Sequence, residues 1–297
     1  MLNKYLLTLA CLLGLAPLHA AETVTIEHGG ITLNASLEQS GNWPAGPVML
    51  MTHGTLAHAG MEIMATLQGL LADNDISSLA INLSLGIDNR PQAMYDCPTP
   101  HNHKHTDSLD EIGAWLDWLK KGGTGKVVLL GHSRGGNQVA WFAAERDDPA
   151  VSAVVMVAAA TWSADYNAKD YRKRYGTELG PLFARARQMV EQGKGDELIS
   201  DIGFIYCADT SATAASIANY YAADERNDTP TLLPKIKKPK LVVEGSEDKV
   251  YDNSIEKFQA RADAGQAELL VIDGSDHFFR DLYADELVEA VVEFIEE

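Results

Sequence analysis

Gly131-His132-Ser133-Arg134-Gly135 follows an apolar run, Lys126–Leu130, and opens a segment patterned for a helix, with Asn137, Ala140, Trp141 and Ala144 in it. A serine held between glycines at a strand-to-helix turn is a candidate nucleophile. Side chains at the flanking positions would collide with the backbone of so sharp a turn, and the turn lifts the hydroxyl out of the fold. It also sets that hydroxyl at a helix N-terminus, where developing negative charge is favoured. The chemistry would be nucleophilic attack, and a serine attacks only when a base takes its proton. Beyond His132 the chain has one histidine, His277, in IDGSDHFF after the last strand-like run. An imidazole base needs an acceptor on its other nitrogen, to fix the tautomer and stabilise the cation. Asp248, in VVEGSEDKV, is placed to be that acceptor, and Glu247 and Asp276 are the acidic alternatives.

Charge developing on the acyl oxygen calls for preorganised donors. The backbone N–H of Arg134, next after the serine, is one candidate. The N–H of Thr55, after His53-Gly54 in MTHGTLAH, is the other. The His53 side chain reads as an anchor for that loop. The Arg134 guanidinium sits at a helix start, where a cation is mildly disfavoured, so it should either have a carboxylate partner or meet the substrate, and a partner within the protein is the preferred reading.

These groups are far apart in sequence, and the elements between them must bring them together. Strand-like runs are Thr23–His28, Ile31–Leu37, Val48–Thr52, Ser78–Asn82, Lys126–Leu130, Ala153–Ala158, Leu241–Glu244 and Glu268–Ile272. From Val48 onward most are continuous Val, Leu, Ile or Met, the pattern of strands covered on both faces. Helical patterns lie between them. Ser108 and Glu111 have capping-box spacing ahead of a face made by Leu109, Ile112, Leu116 and Leu119. The last helix carries Leu282, Leu287, Val288, Val291 and Ile295. Such alternation predicts an α/β fold, a mostly parallel sheet flanked by helices. Residues 162–228 break the rhythm. They look helical, are rich in Tyr, Trp and Phe, and read as a cap inserted over the carboxyl edge of the sheet.

The order Ser133, Asp248, His277, the serine turn and the His-Gly loop together resemble the α/β-hydrolase superfamily. GGITLNASL is similar to its opening hairpin, and LLPKIKKPKLVVEGSED to its approach to the acid strand. The resemblance runs from about Thr23 to Ile295. It implies an eight-stranded, mostly parallel sheet, and ester or related acyl hydrolysis of a small molecule without a cofactor.

One loop departs from that pattern, LGIDNRPQAMYDCPTPHNHKHTDSLDEI. His101, His103 and His105 alternate, so in extended backbone their rings face one way and would suit zinc or copper, with Asp107 or Asp110 completing the shell. The preferred reading has no metal: a polar loop beneath the cap, with histidines hydrogen-bonded to its acidic residues.

Lys4, the apolar run Tyr5–Leu18 and the small residues of APLHAAE have the layout of a secretory signal peptide, cleaved after Ala20 or Ala21. The run is too short to span a bilayer, which takes about 20 residues. A lipoprotein site at TLAC is the weaker reading, because it lies within that run. The mature chain, residues 21–297, is expected as one exported domain, periplasmic or secreted. In that compartment Cys97 and Cys207 are expected to pair, with two separate buried thiols as the alternative. The formal net charge of −18 lacks the positive field that nucleic acid requires.

The expectation is therefore a serine hydrolase acting on a carboxylic ester. Lactonase, thioesterase and amidase activities use the same parts, and a non-catalytic binding module is the reading from another class.

Overall fold

The computed structural model describes residues 21–296. The segment read as a signal peptide, residues 1–20, lies outside them. No helix among the described residues is long and apolar enough to cross a membrane.

The chain opens with a hairpin, β1 (Glu22–His28) and β2 (Ile31–Glu38). It continues through β3 (Val48–Thr52), α1 (Glu62–Asp73), β4 (Ser77–Asn82), α2 (Asp107–Lys121), β5 (Val127–His132), α3 (Arg134–Glu145) and β6 (Val151–Val157). The inserted stretch holds α4 (Ala164–Tyr175), α5 (Leu179–Glu191), β7 (Leu198–Phe204), β8 (Cys207–Thr213) and α6 (Ala214–Tyr220), and α7 (Thr229–Leu232) follows it. Then follow β9 (Lys240–Gly245), α8 (Ser254–Asp263), β10 (Glu268–Ile272) and α9 (Leu282–Glu296).

Eight strands make one sheet in the order β1-β2-β4-β3-β5-β6-β9-β10. The pairs from β4 to β10 are parallel, and only those made by β2 are antiparallel. Each expected strand is present, with ends differing by one or two residues. The apolar runs are continuous because both faces of the sheet are covered. On β3, Val48 and Leu50 join a core with Trp115, Leu116 and Leu119 of α2, while Met49 and Met51 join another with Met64 and Leu67 of α1 and Leu287 and Val291 of α9. Burying a side chain of this size stabilises the fold by about 1.5–3 kcal/mol, so a one-residue register slip would forfeit both faces at once.

Two expectations need correction. The inserted stretch is not wholly helical, since β7 and β8 pair as a separate antiparallel ribbon. Its register is interrupted twice, and Asp201, Ile205 and Asp209 have positive φ, so no clean alternation marks it. The capping box also does not form. Glu111 is buried and accepts from the N–H and hydroxyl of Ser84 at 2.9 and 2.6 Å, and Ser108 donates to the carbonyl of His105 at 2.8 Å. The Glu111 carboxylate therefore links α2 to the end of β4 instead of capping α2, and burial pushes its pKa up to about 7.

Candidate active site

Ser133 lies between β5 and α3 with φ 58° and ψ −121°, a conformation that costs a residue with a side chain of order 1–3 kcal/mol. The turn is clamped from several sides. The Ser133 N–H donates to the carbonyl of Val157 at 2.8 Å, and the Ser133 carbonyl accepts from the N–H of Gly136 and of Ala160, both at 3.0 Å. The flanking glycines are needed for close approach. A Cβ at Gly131 would strike the carbonyl of Gly135, and one at Gly135 the carbonyl of Thr52.

His277 and Asp248 are in contact. The Nδ1–H of His277 donates to Oδ2 of Asp248 at 2.6 Å, with both side chains almost wholly buried. That leaves Nε2 of His277 with its lone pair. Asp248 is itself held, accepting from the Val250 N–H at 2.8 Å. The two acidic alternatives are engaged elsewhere. Glu247 pairs with Lys249, and Asp276 accepts from the Phe278 N–H and from Arg280. Asp248 enters after β9 and His277 after β10, adjacent parallel strands, so both loops emerge at one end of the sheet.

Ser133 and His277 line the same cavity, of about 490 Å³, with Gly54, Thr55, His132 and Phe278. No hydrogen bond joins them. The Ser133 hydroxyl is instead 3.3 Å from the hydroxyl of Tyr251, whose ring lies edge-on to His277 with centroids 5.9 Å apart. Burial holds the Tyr251 phenol protonated, well above its usual pKa. Sequence reading missed Tyr251, and only its position three residues after Asp248 hinted at it.

The His53–Thr55 loop approaches the serine closely, since a Cβ on Gly54 would lie 3.1 Å from that of Ser133. Among the described residues, the Thr55 and Arg134 amides donate to no protein acceptor. The anchoring role expected of His53 is visible. Its Nδ1–H donates to the Gly54 carbonyl at 2.9 Å, and Nε2 accepts from the Leu83 N–H at 3.1 Å. Burial keeps this ring neutral, with a pKa lowered to about 3. Behind it lies Arg90, 2% exposed. Its guanidinium donates to the carbonyls of Leu83, Ala93 and Ala57, to Asn82 Oδ1 and to His53 Nε2.

The histidine loop differs from expectation in its partners. Nδ1 of His101 and Nε2 of His103 share a hydrogen bond of 3.0 Å, and His103 Nδ1 shares one of 2.9 Å with the Tyr220 hydroxyl. Nε2–H of His105 donates to Asn137 Oδ1 at 2.8 Å. Neutral groups thus replace the acidic partners, because the rings are buried beneath α6 and burial lowers their pKa values to about 3–4. Among the described residues no cluster of His, Cys, Asp or Glu is arranged to hold a metal ion. A disulfide joins Cys97 to Cys207, tying this loop to β8 of the inserted stretch.

Arg134 is the second departure. It has no carboxylate partner among the described residues. Its Nε donates to Thr55 Oγ1 at 3.0 Å, its Nη1 to His105 Nδ1 at 3.4 Å, and its guanidinium lies 5.2 Å from the centroid of the Tyr220 ring. Neutral acceptors stand where an ion pair was expected.

A family model described as the alpha/beta hydrolase fold matches residues 47–281. Among solved structures, the chain is similar to Est1E from Butyrivibrio proteoclasticus with ferulic acid bound, at 22% identity and a TM-score of 0.64, covering 92% of this chain and 97% of that one. It is similar also to a thioesterase domain from the curacin biosynthetic pathway, at 17% identity and a TM-score of 0.59, covering 92% and 99%. A third is a dienelactone hydrolase from Anabaena variabilis, at 18% identity and a TM-score of 0.55, covering 94% and 97%. At these identities the likeness is one of fold. No curated protein sequence matches the chain.

Proposed function

The chain belongs to the alpha/beta hydrolase family, and on that premise we propose that it is an exported serine hydrolase cleaving a carboxylic ester through an acyl-enzyme. The observation that carries this reading is the 2.6 Å bond to Asp248 made by His277, which lines the same cavity as Ser133.

In the proposed reaction, rotation about the Cα–Cβ bond swings the Ser133 hydroxyl from Tyr251 toward His277, one staggered position to another. Catalytic hydrogen bonds are often long or misaligned until substrate is bound. As Oγ bonds to the acyl carbon, its proton passes to Nε2 of His277. Asp248 holds the imidazole in the right tautomer and stabilises the cation. The N–H groups of Thr55 and Arg134 take the oxyanion, each worth about 2.7–4 kcal/mol of barrier. Collapse of this intermediate breaks the carbon–oxygen bond of the ester, and His277 protonates the departing alcohol. Water then attacks the acyl-enzyme with the same residues in reverse order and releases the acid.

The strained turn at Ser133 supports the nucleophile's role, and the two free amides support the oxyanion site. The leader-like first twenty residues and the disulfide support export. In the same way, residues 162–228 act as the cap, since Tyr166, Asp170 and Tyr206 from them line the cavity of Ser133. The test is turnover of a short p-nitrophenyl ester. Ser133→Ala abolishes it while the circular dichroism spectrum is kept, and undiminished turnover by this variant rules the assignment out.

A further inference from the structure

We propose that the substrate carries a carboxylate on its acyl part, and that Arg134 and the small cavity beside Ser133 are built to receive it. This rests on the ester-hydrolase reading above and deepens it by naming a substrate class.

The cavity has a volume of about 80 Å³ and is lined by His105, Arg134, Asn137, Tyr220, Tyr221 and Tyr251, among others. It is large enough for a few heavy atoms and too small for a long chain. Its electrostatics are unbalanced. Asp170 and Arg174, which also line it, pair with each other at 2.6 Å and cancel. His105 is fixed as the neutral tautomer, because Asn137 donates through its amide nitrogen to the Arg226 carbonyl and to Thr229, and so offers only its oxygen to Nε2–H of His105. Nδ1 of His105 is then an acceptor for Arg134. What remains in the lining is the Arg134 charge, partly buried and, among the described residues, without a counter-ion, in a protein whose formal net charge is −18. A partly buried charge with no partner is costly, and guanidinium presents a planar fork that matches a carboxylate in two parallel bonds. A second donor faces the same space. The Tyr221 hydroxyl accepts from the Ile205 N–H at 2.9 Å and keeps its own proton for a ligand.

The assignment to the acyl side follows from proton transfer. His277 must protonate the leaving alcohol, so that alcohol occupies the 490 Å³ cavity, of which His277 is a wall. His277 does not line the smaller cavity, which is lined by Arg134 and by Tyr251, whose hydroxyl is 3.3 Å from that of Ser133. The acyl group is left to fill it.

The test uses two p-nitrophenyl esters of equal chain length, the pentanoate and the glutarate half-ester, which differ in a terminal methyl or carboxylate. Wild-type enzyme is expected to favour the half-ester in kcat/KM by at least about tenfold, within the worth of a hydrogen bond to a charged group. Arg134→Gln should lower that ratio by about tenfold to a hundredfold, and Arg134→Lys should restore part of it. The ratio is the readout because the amide of residue 134 serves both substrates equally. Equal or reversed preference in wild-type enzyme overturns the proposal without need of a variant. A strong preference that survives Arg134→Gln overturns the role of Arg134. Turnover of neither ester, with no labelling of Ser133 by a fluorophosphonate, overturns the hydrolase reading and this one with it.

Discussion

The Nε2–H of His132 donates to the main-chain carbonyl of His277 at 2.9 Å. The residue before the candidate nucleophile thus holds the backbone of the candidate base. His132 is buried and burial lowers its pKa to about 3, so it stays a neutral donor. Losing the bond leaves a buried carbonyl unpaired, at a cost of about 1–3 kcal/mol. His132→Ala should lower both stability and kcat, the latter by about tenfold, with KM little changed. His132→Gln, which can still donate, should recover part of kcat. Equal losses in both variants would remove His132 from this positioning role.

Arg90 donates one hydrogen bond to His53 and four more to Ala57, Asn82, Leu83 and Ala93, and so ties the base of the His53–Thr55 loop to its surroundings. Arg90→Met should reduce thermal stability and ester turnover together, because it orphans several buried acceptors. Arg90→Lys should fail to rescue, since an ammonium cannot reproduce the fork. Activity retained by Arg90→Met at a temperature where it stays folded would show that the loop is held by other means.

Much of this arrangement can be read from the chain, for identifiable reasons. Strands buried on both faces write themselves as apolar runs, and a tight turn around Ser133 demands glycines that the eye can find. His277 was isolated because no other histidine follows Ser133. What stayed hidden depends on distance across the fold. Tyr251 and Arg90 act through contacts with residues far away in sequence or on loops; nothing near Arg90 announces it, and Tyr251 is hinted at only by its place three residues after Asp248. Glu111 had capping-box spacing but is bonded to Ser84, a tertiary partner that outweighed the local one. The β7–β8 ribbon lacks a steady period and so left no signature.

The hydroxyls of Ser133 and Tyr251 are 3.3 Å apart. If this contact only holds the resting serine, Tyr251→Phe should speed fluorophosphonate labelling about twofold to tenfold, the range of one neutral hydrogen bond. A tenfold fall in that rate would instead make Tyr251 a donor to the reacting groups.

The disulfide closes a separation of 110 residues. In the chain-entropy model such a loop is worth about 4–5 kcal/mol. Cys97→Ser with Cys207→Ser should therefore lower Tm by about 8–20 °C in calorimetry, at about 2–4 °C per kcal/mol for a chain of this size. Peptide mapping that finds both thiols free in the native protein would contradict the bridge.

Five buried histidines, His53, His101, His103, His105 and His132, have pKa values lowered to about 3–4. Below pH 6.5 the unfolded chain takes up protons at these sites and the folded one does not, so stability falls as pH falls from 6.5 toward 4. Glu111 and Glu244 act oppositely. Burial raises them to about 7 and 8, so the folded state keeps protons that the unfolded state has lost, and stability declines as pH rises from 4.5 through those values. The histidines outnumber the glutamates up to pH 6.5 and contribute no further slope above it. Tm should therefore peak near pH 6–7, with the steeper side in acid. A Tm that rises on acidification from pH 6.5 to 4.5 would contradict this burial pattern.

The central claim is that Ser133 is a nucleophile activated by His277. Fluorophosphonate labelling read by peptide mass spectrometry tests it most directly. One modified residue is expected, Ser133, with a labelling rate that falls at least about a hundredfold in His277→Ala. A wild-type protein that does not react, or a His277→Ala variant that reacts as fast as wild type, would contradict it.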